Sequence, residues 1–130
     1  MKWFVTRKWS PAPLAALLAM LLVILQADAA LACSCRPRTP EQIMDAATVV
    51  VDGKVTGVAH DGGRLAATIS VARIIKGRVG RELIVRTQDS SAACGIAFTP
   101  GQLVRIAADK LNDGLWTNLC LALPAPKPRS

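Results

Sequence analysis

The sequence predicts a mainly β domain, a small closed barrel of five strands, and three observations lead to this prediction. Five segments with β-type patterning, separated by glycine-containing turns, follow one another between residues 48 and 120. The first segment carries Gly53 and Gly57, which indicate bends where one long strand serves two sheets of an OB-type barrel. Four cysteines frame these segments and predict covalent links in a domain too small for a deep core.

Residues 1–32 have the features of a signal peptide. A basic start is followed by an apolar run over residues 11–25, and residues 30–32 form the small-x-small pattern at which signal peptidase cuts. The run is shorter than the roughly 20 residues that a membrane-spanning helix needs. We therefore expect cleavage after Ala32 and a secreted protein, extracellular or periplasmic, that begins at Cys33.

A second route of processing is open to Cys33. Some export signals end in a cysteine whose thiol receives a diacylglycerol anchor, although Ala30 stands where such signals usually have leucine. Lipidation would consume both the thiol and the amine of Cys33. The membrane is expected as a partner only in this lipid-anchored alternative.

The four cysteines are Cys33, Cys35, Cys94 and Cys120. An even number in a short exported chain indicates a disulfide framework. A bond between Cys33 and Cys35 would close a strained ring, so each is expected to pair with one of the two distant cysteines. A zinc site of four cysteines is disfavoured, because C-x-C is not the usual C-x2-C spacing and an oxidising compartment removes the thiolates. No cofactor is predicted.

A short helix precedes the strands. Thr39, Pro40 and Gln42 form a capping box with proline at the first helical position, which predicts a helix that ends at about Ala47. Strands are then expected over residues 48–58 and 64–75, joined by a turn at 60–63, and over residues 82–87, 102–109 and 115–120. The predicted domain covers residues 33–122, and the proline-rich segment 123–130 is expected to be a disordered tail.

Composition argues for a binding protein and against an enzyme. The single histidine, His60, falls in a predicted turn, and no catalytic set can be assembled around it. The chain has 16 basic and 9 acidic side chains, an excess that suits an ordinary solvated surface or attraction to an acidic polymer. After the leader the aromatic residues are Phe98 and Trp116, too few for the stacking that single-stranded nucleic acid requires. No specific nucleic-acid partner is expected.

Three stretches carry a family resemblance: "CSCRPRTP" from Cys33, "SAACG" from Ser91 and "DGLWTNLC" up to Cys120. In this order they resemble the netrin-like (NTR) module, and within it the amino-terminal domain of the tissue inhibitors of metalloproteinases (TIMP). The resemblance covers nearly all of the chain after the leader. It implies a five-stranded OB-fold barrel with one short helix, and disulfides that pair Cys33 with Cys94 and Cys35 with Cys120.

The resemblance also implies a function. In such an inhibitor the free amine and the carbonyl oxygen of Cys33 would chelate the zinc of a metalloprotease, and Ser34 would enter the pocket beyond it. Residues 33–35 would form one edge of the protease-binding surface, with Cys35 at its end. Ser91, Ala92 and Ala93 would form the second edge. Alternatively, the cysteines are structural, residues 88–93 are an ordinary hairpin loop, and the domain is a binding module for an acidic polymer of the envelope or matrix.

Overall fold

The computed structural model describes residues 11–25 and 33–128. The chain divides into two compact units, Met1–Leu31 and Ala32–Ser130. The first unit contains helix α1, Ala12–Leu25. Within the described residues, no helix combines the length and the apolar character needed to cross a bilayer. The basic start of the predicted leader and its cleavage position after Ala32 lie outside the described residues.

Helix α2 spans Pro40–Ala46 and begins as its sequence predicts. The Thr39 hydroxyl accepts a hydrogen bond from the Gln42 backbone N–H at 3.2 Å, and the Gln42 side chain accepts one from the Thr39 N–H at 2.9 Å. These two bonds satisfy backbone donors that a first turn leaves unpaired. The helix stops because Ala47 turns to an extended conformation, with ψ at 149°.

Five strands form a closed barrel in the order β1, β2, β3, β5, β4. Neighbouring strands are antiparallel except for the pair of β3 and β5. The mainly β architecture with five strands, predicted from the patterning, is thereby confirmed. The strands are β1 Val49–Asp61, β2 Arg64–Lys76, β3 Glu82–Gln88, β4 Leu103–Leu111 and β5 Gly114–Trp116.

Strand β1 is long enough to pair with β2 along its length and with β4 over its first half. Its register against β2 shifts between Asp52 and Gly53 and again between Val55 and Gly57, so irregularities occur at both glycines that suggested bends. A Cβ atom on Gly53 would lie 2.7 Å from the Ile69 side chain, whereas one on Gly57 would meet nothing within 4 Å. Only Gly53 is therefore required for close approach of the two strands.

Two apolar clusters lie on opposite faces of β1. The alternating side chains of β1 to β4 fill the barrel interior, as expected when successive residues of a strand point to opposite faces. On the outer face Val50 and Ala107 pair across β1 and β4 and pack beneath helix α2 with Ile43 and Leu121. The helix thus covers one end of this outer face.

On the outer face of β1 and β4, the burial and polarity of the paired side chains change with each step of two residues. The pair Val50 and Ala107 is buried, the next pair is Asp52 and Arg105, and the third is Lys54 and Leu103, both exposed. Along these two strands, the apolar end beneath the helix is therefore followed by an ion pair and then by an exposed surface that carries Lys54.

The predicted fifth strand, residues 115–120, is too long. Strand β5 ends at Trp116, and the buried Thr117 hydroxyl donates to the Ala107 carbonyl at 2.7 Å. The Asn118 side chain then accepts from the Cys120 N–H at 2.8 Å and caps a 3-10 turn over Leu119–Leu121. Side-chain capping therefore replaces strand pairing in this segment.

Part of the proline-rich segment that follows residue 122 makes contacts with the rest of the domain. Leu123 packs against the apolar cluster beneath helix α2, and Pro126 is half-buried. The missing proline N–H groups exclude strand pairing but leave these apolar contacts intact.

Candidate functional site

Two disulfides meet at one end of the barrel. They join Cys33 to Cys94 and Cys35 to Cys120, which is the pairing that the family resemblance implies. The Sγ atoms of Cys33 and Cys35 lie 3.9 Å apart. This is closer than the spacing of about 7 Å between alternate residues of an extended strand, because the two side chains converge on neighbouring partners. We call residues 33–35, residues 91–94 and Cys120 the cysteine rim.

The 91–94 segment of the cysteine rim is built by local hydrogen bonds. The Ser90 hydroxyl accepts from the Ala93 N–H at 3.2 Å, which caps a 3-10 turn over Ser91–Ala93. Cys94 then adopts a left-handed conformation, with φ at 63°, and its carbonyl oxygen accepts from the Leu119 N–H at 2.8 Å. This bond ties the 91–94 segment to the segment that carries Cys120.

Gly95 allows this turn to sit close to the end of β3. A Cβ atom at Gly95 would collide with the carbonyl oxygen of Gln88 and would lie 2.9 Å from that of Ser90. The Thr87 side chain, fully buried, supports the next residue by accepting from the Ile96 N–H at 3.1 Å. The chain is thereby folded back on itself just where Cys94 meets Cys33.

The hairpin interpretation of residues 88–93 is wrong. Strands β3 and β4 are not neighbours, since β5 lies between them and pairs in parallel with β3. The segment is instead part of a longer connection that crosses the end of the barrel from β3 to β4.

The structure brings the predicted protease-binding residues together. The Cα atoms of Cys33 and Cys94 lie 4.9 Å apart, and those of Cys35 and Cys120 5.2 Å apart. Ser34, Cys35, Ser91, Ala92 and Ala93 are exposed, and Cys33 is half-buried. The cysteine rim therefore presents two exposed edges held side by side by a covalent bond.

The four cysteines form the one cluster of metal-ligating side chains found among the described residues, with their sulfur atoms within 4.8 Å of one another. All four sulfurs are bonded in disulfides, so none is a thiolate. The closeness that a zinc site would need is thus produced here by two adjacent disulfides.

No family model matches this chain, and a comparison with curated proteins finds no match. The case for a function therefore rests on the sequence resemblance and on the geometry of this chain's own residues.

Sequence reasoning missed an ion pair on the outer face of the barrel. Asp52, only 9% exposed, accepts from Arg105 Nε at 2.6 Å and from Arg105 Nη2 at 2.9 Å. The Arg73 guanidinium lies 3.9 Å from the same carboxylate. These hydrogen bonds from Arg105 hold the pKa of Asp52 below its ordinary value, against the effect of burial. The signal was an acidic residue placed directly after the three consecutive valines that begin strand β1.

A second group of charged and aromatic side chains surrounds the turn between β4 and β5. Trp116 Nε1 donates to the Asp113 carboxylate at 2.7 Å, and this bond, foremost, lowers the pKa of Asp113. Arg64 lies over the Trp116 ring, 5.3 Å from its centroid, and Arg86 donates to the Asp113 carbonyl oxygen. These contacts hold the Trp116 side chain against the turn. His60 is exposed near the end of β1.

Proposed function

We propose that the domain is a netrin-like module with an OB-type barrel, and that it acts as a secreted inhibitor of zinc metalloproteases. The barrel supports the assignment: its five strands close into a ring, the long first strand pairs with both β2 and β4, and β5 is inserted between β3 and β4. Such a crossed order is typical of a five-stranded Greek-key barrel.

One observation carries the inhibitory proposal: the disulfide from Cys33 to Cys94 places the expected first residue of the processed chain beside an exposed turn. Ser34 on one side and Ser91, Ala92 and Ala93 on the other are open to solvent. A protease cleft can therefore meet both edges of the cysteine rim at once.

The chemistry depends on the backbone of Cys33. A metalloprotease keeps one zinc position open for its attacking water. After cleavage behind Ala32, the α-amine and carbonyl oxygen of Cys33 would form a five-membered chelate with that zinc and displace the water. An α-amine has a pKa of about 8, which leaves a neutral fraction near pH 7, and coordination to a metal increases it. Ser34 would then fill the neighbouring side-chain pocket of the protease.

Rigidity makes this chelate effective. An unrestrained amino terminus would lose conformational freedom on binding, and that loss would weaken the complex. Here residues 33 and 35 are both anchored by disulfides before any encounter, so little further ordering is needed. The cysteine rim is thus prepared for binding by the same bonds that stabilise the domain.

The decisive experiment adds one alanine before Cys33 in the oxidised, processed protein. Inhibition of a zinc metalloprotease should weaken by about 100-fold or more, because a lost metal ligand is worth several kcal/mol. The thermal midpoint should barely change, since no contact of the described domain is altered. A protein with one alanine added after Ser130 is the matched control and should inhibit fully. Equal inhibition by both proteins would reject the mechanism.

Intact mass spectrometry of the exported protein tests the chemical premise. The proposal requires a mass that begins at Cys33 and is lower by four hydrogens, as two disulfides demand. An added diacylglycerol or acyl mass on Cys33 would show that its amine and thiol are consumed, and the inhibitory proposal would then be wrong.

A further inference from the structure

A basic groove lies on the outer face of the barrel, and none of its lining residues belongs to the cysteine rim. Its floor is the middle of β1 with the adjoining parts of β2 and β4, and residues 126–128 form one wall. The groove has a volume of about 580 Å³, within the range of small-ligand sites. Its charged side chains come from four separate segments: Asp52 and Lys54, Arg73, Arg105, and Lys127.

The ion pair organises the charge of the basic groove. Asp52 is engaged by two hydrogen bonds from Arg105, a paired geometry that suits a guanidinium and a carboxylate. Arg73 stands farther away, at 3.9 Å, and its side chain stays 60% exposed. The carboxylate therefore restrains Arg105, while the more exposed Arg73 is free to meet a ligand.

The charge balance favours an anion. Four basic side chains and one carboxylate line the basic groove, and Lys54 and Lys127 are exposed. A concave surface with one sign of excess charge concentrates ligands of the opposite sign. Because the basic side chains are spread along the groove, they suit a ligand with several separated negative groups.

The uncharged lining selects among polyanions. Ser70 offers a hydroxyl group, and Val71, Ala72 and Leu103 offer small or aliphatic surfaces. None of the described residues that line the basic groove is aromatic, whereas binding of single-stranded nucleic acid relies on aromatic stacking. Sugar rings with anionic groups need hydrogen bonds, cations and modest apolar contact, all of which are present.

We infer that the basic groove binds a linear acidic polysaccharide, whose carboxylate or sulfate groups meet Arg73, Lys54 and Lys127. This inference goes beyond the proposed inhibition and is independent of it, because the basic groove uses neither the amine of Cys33 nor the turn at 91–94. A single molecule could hold a polymer on one face while the cysteine rim remains accessible.

The test compares two double variants of the oxidised protein that remove the same charge. Lys54→Gln with Arg73→Gln alters the basic groove, and Lys110→Gln with Arg78→Gln alters exposed residues that line a different depression. Affinity for dextran sulfate and for polygalacturonate is measured over a range of salt concentrations. These two probes separate sulfate from carboxylate recognition. Neutral dextran is the uncharged control, and oligothymidylate is the nucleic-acid control.

We expect the basic-groove variant to lose affinity roughly tenfold for at least one acidic polysaccharide. The slope of its log affinity against log salt concentration should become less negative by about two. The control variant should change affinity by less than about twofold, as expected for basic residues outside the site. Neutral dextran should not bind. Equal losses in the two variants, absent polysaccharide binding, or tighter binding of oligothymidylate than of both polysaccharides would each overturn the inference.

Discussion

The cysteine rim and the basic groove are both surfaces of one small barrel, but they are held in place by different forces. The rim consists of exposed or half-buried residues outside the regular strands, and two disulfides fix it. The groove is carried by paired strands above the buried interior, and an ion pair organises its side chains. Covalent bonds thus substitute for packing where the domain has no core to offer, so the two surfaces should respond to different perturbations.

The largest effect is expected on removal of a disulfide. In Cys35→Ala with Cys120→Ala, a link across 85 residues is lost, which should lower the free energy of unfolding by about 3–4 kcal/mol through greater freedom of the unfolded chain. Urea unfolding followed by circular dichroism measures this loss.

The matched variant is Cys33→Ala with Cys94→Ala, which opens a link across 61 residues. Because the entropic contribution depends only weakly on loop length, a similar loss is expected. A change under about 1 kcal/mol in both variants would contradict the view that the disulfides supply stability which packing lacks.

The next effect concerns the turn at the cysteine rim. Gly95→Ala places a Cβ against the backbone of Gln88 and Ser90, so the free energy of unfolding should fall by about 2–3 kcal/mol, as overpacked sites show. Gly57→Ala is the control, since a Cβ there meets nothing within 4 Å; its stability should change by less than about 1 kcal/mol. Equal losses in the two variants would show that backbone proximity does not explain Gly95.

The ion pair of the basic groove should make a smaller, pH-dependent contribution. Asp52→Asn weakens the bonds from Arg105 and should lower the free energy of unfolding at pH 7 by about 1–3 kcal/mol. Because folding lowers the pKa of Asp52, its contribution is complete above the unfolded-state pKa and is lost as the pH falls below about 4.

Urea titrations between pH 7 and pH 2 test the sign of this effect. The parent protein should lose more stability over the acidic part of the range than Asp52→Asn, whose amide does not titrate. Asp113 also has a lowered pKa and is shared by both proteins, so it cancels in the comparison. Identical pH profiles would contradict the role given to Asp52.

The smallest effect is expected at helix α2, which covers the apolar end of the outer face. Thr39→Ala removes the hydroxyl that accepts from the Gln42 N–H and should cost about 1 kcal/mol. Thr39→Ser retains that acceptor and should stay close to the parent in thermal unfolding. A loss as large as that from the disulfide variants would mean that α2, rather than covalent linkage, limits the stability of the domain.

The sequence by itself determined the type and order of the elements. The capping box at Thr39, the alternation along β2 and the glycine turn before Arg64 each act over a few residues, so their signals lie in short stretches of chain. Where a local signal was incomplete, as after Trp116, the predicted end of the strand was wrong. The hydrogen bond that the Asn118 side chain accepts decides the conformation of that segment.

Only the tertiary structure decided which distant residues meet. Cys33 reaches Cys94 across 61 residues, and Asp52 reaches Arg105 across 53; no periodicity records such pairings, because they follow from the closure of the barrel and the position of β5 within it. The residues alone left the partners of Cys33 and Cys35 open, and the basic groove was not foreseen at all. Both surfaces arise because closing a sheet brings together side chains that the chain keeps far apart.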